Sequence, residues 1–146
     1  MGSEMDYTYE ERQRDINAGL YTRFFIENEA GEVLFTLADE VAHVIEATLQ
    51  LADLGGVALE EVFAVELFMA DSAEGALAAA APSGGIAVTT GAQLAEITAE
   101  IHLSVGTDGT GLMVIEVTQA TAKDFWIAVK LPSGRLAVSP VLAFAG

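Results

Sequence analysis

His43 and His102 are the only imidazoles in the chain, and there is no cysteine. Any metal or acid–base chemistry would have to be built from these two rings and 22 acidic side chains. A zinc site sets several His or Cys ligands at short fixed spacings. Neither histidine has a sequence-adjacent second ligand at such spacing, and each reads as a solvated ring. Carboxylate pairs recur at Glu10-Glu11, Asp39-Glu40 and Glu60-Glu61. A general acid needs one carboxyl in an apolar pocket, and none of these pairs is bounded by apolar residues on both sides within a predicted strand. The Gly106–Gly111 stretch GTDGTG offers calcium one carboxylate, Asp108, where an EF-hand loop offers several. Ser83-Gly84-Gly85 lacks the Lys-Ser/Thr and the strong helix that follow a phosphate-binding loop. Residue types alone leave a Ser-His-Asp arrangement open, but no nucleophile elbow or oxyanion motif accompanies them. We expect no catalytic residue, no metal and no cofactor, and a protein that is not an enzyme.

The elements that would carry such residues read as strands. In EITAEIHLSV, Ile97, Ala99, Ile101, Leu103 and Val105 alternate with Glu96, Thr98, Glu100, His102 and Ser104. Period two predicts one half-buried strand over 96–105. GTDGTG then interrupts the pattern before LMVIEV resumes it. Asp-Gly between two alternating runs predicts a hairpin at Asp108-Gly109. DFWIAVKL and RLAVSPVLAFA follow as strands joined across Pro132-Ser133-Gly134. Upstream, LYTRFFIEN and EVLFTLA flank Asn28–Gly31 and predict a hairpin over 20–38, closed by Gly31 in the left-handed conformation. In VIEATLQLAD, Ile45, Ala47, Leu49 and Leu51 share one face. In FAVELFMAD, Val65, Leu67 and Met69 point inward, and Phe68 lies beside Glu66 on the outer face. Ser72 is placed to cap a turn or two of helix ending at Pro82, but 72–84 reads rather as a loose connection between two sheets. Nine or so short strands with turns between them predict an all-β sandwich with Greek-key connections.

Composition narrows the partners. Hydrophobic residues make up 52% of the chain, too many for a disordered one. A formal charge of −16 repels phosphate, which argues against nucleic acid and against anionic membranes. The acidic start MGSEMDYTYEE has no apolar h-region and does not read as a secretory signal. No apolar run is long enough to span a bilayer as a helix.

The order LQLADLGGVALEEVFAVELFMADSAEG, GIAVTTGAQLAEI, LSVGTDGTGLMVIEV, FWIAVKLPSGRLAVSPVLAF resembles bacterial and phage immunoglobulin-like domains. The turn with Asp-x-Gly, the aromatic strand, the hairpin, Ser-Pro and the terminal strand are similar to Ig-like domains of tailed-phage virion proteins. They are similar also to invasin-type adhesin repeats. The likeness covers 44–146; a polar arm at 1–19 and the 20–38 hairpin lie outside it. One copy behind a short arm looks like a small capsid decoration or head-fibre protein. The resemblance implies an Ig-like Greek-key β-sandwich (20–146, Ig-like core 44–146), located in the virion and without enzymatic activity. It implies capsid or tail subunits as partners, with the chain a homo-oligomer or multi-copy on the particle.

Aromatic and arginine side chains dominate interface energetics. On that ground Tyr7, Tyr9, Arg12, Arg14, Tyr21, Phe24, Phe25 and Trp126 are the expected partner-binding residues. Trp126 faces away from Phe125, Ile127 and Val129, so it is either exposed or covered by the 20–38 hairpin. The alternative is a receptor- or carbohydrate-binding module that uses loops 72–84 and 106–111 at one end of the sandwich.

Overall fold

Where apolar and polar residues alternate, the chain is extended and buries one face. The structure, a computed structural model, describes residues 30–146. The arm, the first half of the expected hairpin, and Tyr7, Tyr9, Arg12, Arg14, Tyr21, Phe24 and Phe25 lie outside the described residues. The strands are β1 (Glu32–Leu37), β2 (Val44–Ala52), β3 (Ala64–Ala70), β4 (Gly85–Thr90), β5 (Ala92–Thr98), β6 (His102–Gly106), β7 (Leu112–Thr118), β8 (Lys123–Lys130), β9 (Leu136–Val138) and β10 (Leu142–Phe144). Among the described residues there is no helix.

Two antiparallel sheets face each other. One has the order β1-β2-β7-β4; the other runs β10-β8-β3-β6-β5, with β9 also on β8. Setting the β5–β6 pair aside, this is the immunoglobulin arrangement. β1, β2, β7 and β4 take the places of strands A, B, E and D, and β3, β8 and β9/β10 those of C, F and G. β5 and β6 form a hairpin inserted between D and E that extends the C edge. The interior comes from the expected faces: Ile45, Ala47, Leu49 and Leu51 on β2, and Val65, Leu67 and Met69 on β3. Met113, Ile115 and Val117 on β7, Phe125, Ile127 and Val129 on β8, and Leu103 and Val105 on β6 are buried with them. We call the end with 53–63, 107–111 and 131–135 upper, and the end with 38–43, 71–84 and 119–122 lower.

Four local expectations are corrected. The stretch 96–105 is not one strand. β5 ends at Thr98, and the Ile101 N–H donates to the Thr98 carbonyl at 3.0 Å, closing a turn into β6. Glu100 takes φ 59° there, and its carboxylate accepts the Ile86 N–H at the start of β4. That long-range bond holds a turn that Glu does not favour by itself.

Asp108-Gly109 does not close a hairpin between its flanks. The closing bond is present: the Asp108 N–H donates to the Leu112 carbonyl at 2.9 Å. One residue further out the strands part. The Thr107 N–H donates to the Phe63 carbonyl (2.8 Å), and the Gly111 carbonyl accepts from Leu51 (2.9 Å). β6 is already flanked by β3 and β5, and β7 by β2 and β4, so the turn carries the chain from one sheet to the other.

Gly31 does not have positive φ. Its N–H donates to the Ala52 carbonyl, and a Cβ there would lie 2.6 Å from Leu54 Cγ. The residue is small because Leu54 packs on it. Lastly, 72–84 is neither a helix nor loose. The Ser72 hydroxyl accepts from Ala76 at 3.2 Å, the Asp71 carboxylate accepts the Ala79 N–H at 2.9 Å, and Leu77 bridges to Ala70.

The Pro132-Ser133-Gly134 turn joins β8 to β9, with Gly134 at φ 91°. Beyond it the terminal strand splits at Ser139-Pro140. Proline has no N–H to give the ladder. Ser139 compensates: its hydroxyl accepts the Ile127 N–H at 2.9 Å, and its own N–H donates to the Ile127 carbonyl.

Candidate interaction surface

The outer face of the second sheet gathers the residues with most capacity for recognition. Side chains of β3 that do not face the core are Ala64, Glu66, Phe68 and Ala70. Register sets Glu66 between Ser104 and Lys130, Phe68 between His102 and Ala128, and Ala70 opposite Trp126. Cross-strand pairs on one face approach closely enough to interact. His102 Nε2 lies 2.9 Å from Glu66 Oε1, and the His102 and Phe68 rings meet edge-on with centroids 5.6 Å apart. Above them a shallow cavity of about 410 Å³ is lined by Glu66, Ser104, Lys130, Leu131, Pro132 and Gly134.

Glu66 and His102 are 36 positions apart, so no local spacing announces the pair. Ser104 stands opposite Glu66 on the same face. The hydrogen bonds of the described residues include none between Ser104 and His102, so these three do not form a nucleophile–base–orienter chain. Among the described residues, no three His, Asp or Glu side chains converge as metal ligands would. His43 is exposed, with φ 69° and Nδ1 3.9 Å from Glu40. What the arrangement offers is an aromatic ledge beside one acid and one base.

Trp126 lies on this face, half-buried. Residues 32–37 do not cover it, because β1 belongs to the opposite sheet. The 71–79 loop folds back over the same face instead. A Cβ on Gly75 would lie 2.8 Å from Leu136 Cδ2 and 3.4 Å from Val138 Cγ2. Under this loop Ala70 and Ala128 are fully buried although they point away from the core.

Among the described residues β5, AQLAEIT, is one edge of the same sheet, and every residue in it is exposed, Leu94 and Ile97 by more than half. Edges of this kind pair readily with other chains. Two register shifts against β6 distort it. Glu96, its one acid, accepts the Glu100 N–H at 3.1 Å.

The loops proposed for glycan binding do not meet. Gly84 N–H donates to the Thr118 carbonyl at the lower end of β7, whereas Gly111 precedes Leu112 at the upper end. At the upper turn, Asp108 Oδ1 accepts from the Thr110 N–H (2.8 Å), the Thr110 hydroxyl (2.6 Å) and the Leu112 N–H (3.1 Å). These bonds, the hydroxyl foremost, hold the Asp108 carboxyl below the ordinary carboxylate range.

Among the described residues, fold and surface together define an antiparallel sandwich of immunoglobulin strand order with a distorted edge strand and an aromatic outer face. No family model and no curated protein matches the chain. Among solved structures, the archaellum periplasmic stator protein FlaG from Sulfolobus acidocaldarius is similar over 73% of this chain and 97% of that one. The identity is 10% and the TM-score 0.39.

Proposed function

We propose that this protein is a non-enzymatic structural protein of a phage virion, an Ig-like decoration or accessory protein held on capsid or tail subunits. The observation that carries the reading is the placement of apolar and aromatic groups outside the core: exposed Leu94 and Ile97 on the edge strand β5, and half-buried Phe68 and Trp126 on the neighbouring outer face. A body that recognises by surface needs such groups outside its core. The family resemblance supplies the virion as the setting. The arm, with Tyr7, Tyr9, Arg12 and Arg14, adds a second contact to that of the body, and linked contacts raise avidity. Tyr21, Phe24 and Phe25 belong to the same attachment region.

The experiment is mass-spectrometric detection of the chain in density-purified tailed-phage particles from cells that carry its gene. The chain should co-purify with the particles at many copies, and a form lacking residues 1–19 should fold yet stay off them. Particles without the chain, or full attachment of the truncated form, overturn the proposal.

A receptor- or carbohydrate-binding role is the second reading. It is favoured by the ledge of Phe68, His102 and Trp126 beside Glu66, a setting in which sugar faces stack on rings. Glycan binding lost on Phe68→Ala would support it, and silence across a glycan array would remove it.

A further inference from the structure

Asp108-Gly109 is the one Asp-Gly step in the sequence. In an open chain such a step rearranges by itself. The glycine nitrogen attacks the carboxyl carbon of the aspartate side chain, a succinimide ring closes, and water leaves. Water then reopens the ring at either carbonyl. One product is aspartate again. The other is isoaspartate, in which the main chain runs on through Cβ. Glycine makes the step fast because no side chain shields its nitrogen and its backbone bends freely. The fold itself does not need a glycine at this position. Gly109 is exposed, it does not have positive φ, and a Cβ added there meets nothing within 4 Å. Its neighbour Gly111, by contrast, has φ 76° and no room for a side chain.

We propose that Asp108-Gly109 is an isoaspartate-forming site that the folded turn holds shut, with the Thr110 hydroxyl as its latch. The attacking side is unrestrained: none of the hydrogen bonds among the described residues uses the Gly109 N–H. Restraint falls on the carboxyl. Oδ1 of Asp108 accepts the Thr110 hydroxyl at 2.6 Å, the Thr110 N–H at 2.8 Å and the Leu112 N–H at 3.1 Å. Ring closure requires the side chain to turn until Cγ meets the Gly109 nitrogen, and these bonds oppose that turn. The main chain of Asp108 is fixed as well. Its N–H donates to the Leu112 carbonyl at 2.9 Å, and its carbonyl accepts the Gly111 N–H at 3.1 Å.

The chemistry of the carboxyl works in the same direction. The three bonds favour its ionised form, the Thr110 hydroxyl most strongly, and hold it below the ordinary carboxylate range. A carboxylate is a poor electrophile, because the oxygen that leaves must first be protonated to depart as water. Isoaspartate at 108 would add a methylene to the main chain where it crosses between the sheets, and would take the carboxylate away from Thr110. This inference goes beyond the proposed attachment role and does not rest on it.

The purified full-length parent, Thr110→Val, Thr110→Ser and Gly109→Ala are held in warm neutral buffer, and the parent also in concentrated urea. Thr110 is exposed, so its hydroxyl can be removed without opening the core. Trp126 fluorescence shows that each variant is folded before the count. Isoaspartate at 108 is located by peptide mapping and counted by enzymatic methylation of isoaspartyl groups. The unfolded parent should accumulate it, and the folded parent should lag far behind. Thr110→Val should speed the folded protein about two- to tenfold, the worth of one hydrogen bond. Thr110→Ser should stay with the parent, and Gly109→Ala should fall below it. The assignment is overturned by Thr110→Val no faster than the parent, or by Thr110→Ser as fast as Thr110→Val. It is overturned equally by a folded parent as fast as the unfolded one, by Gly109→Ala as fast as the parent, or by no isoaspartate at 108 in urea.

Discussion

Thr107 should hold the crossing between the two sheets at the upper end. It is 5% exposed. Its hydroxyl accepts the Phe63 N–H at 2.8 Å and lies 3.2 Å from the Glu61 carbonyl, to which it can donate. Thr107→Val keeps the shape and removes the oxygen. The Phe63 N–H is then left in a half-buried place without its acceptor, a loss of about 1–3 kcal/mol. In a domain of this size each kcal/mol moves Tm by about 2–4 °C, so the transition should fall by roughly 2–12 °C. Urea unfolding followed by fluorescence of the single Trp126 gives the free energy directly. The midpoint should drop with the m-value unchanged, because the surface exposed on unfolding is the same. Thr48→Val is the control: Thr48 sits on the outer side of β2 and makes no side-chain hydrogen bond to another described residue, so it should stay within about 0.5 kcal/mol of the parent. If Thr107→Val also stays within that margin, the crossing does not depend on this hydroxyl.

Gly111 has φ 76°, and a Cβ there would lie 2.0 Å from the Leu59 carbonyl oxygen. Gly111→Ala should cost at least about 1–3 kcal/mol in urea unfolding, from the backbone conformation alone. Glu100→Ala removes the acceptor of the Ile86 N–H and should cost about 1.5–3 kcal/mol; amide hydrogen exchange should quicken at Ile86. Asp108 has a folded-state pKa below its unfolded one, so its contribution is complete above about pH 4 and is lost as pH falls through the folded value. Asp108→Asn cannot ionise, so its stability should follow pH less steeply in the acid range. Urea midpoints of parent and variant at several pH values would show parallel acid limbs if the idea is wrong.

Sequence and tertiary structure divided the work according to the range of the forces. Alternation at Ile45–Leu51, Val65–Met69 and Phe125–Val129 identified core faces, because a side chain's direction in a strand follows from its neighbours alone. The Pro132-Ser133-Gly134 turn was readable for the same reason: its proline and its left-handed glycine are local. The turn at Glu100 was hidden, since no turn residue marks it and its support comes from Ile86 in another strand. Asp108-Gly109 carried the chemistry of a hairpin, and that chemistry is present. Whether its flanks pair with each other depends on what else competes for their edges, and here β3, β5, β2 and β4 occupy them. The closeness of Glu66 and His102 belongs to the same class of fact. The sequence by itself determined that this chain is a layered antiparallel protein with a specified inside. Which strands lie together, which described strands form the edges and which aromatic rings share the outer face were settled only by tertiary packing. Hydrogen-bonding edges are interchangeable until the sheets assemble and allot them.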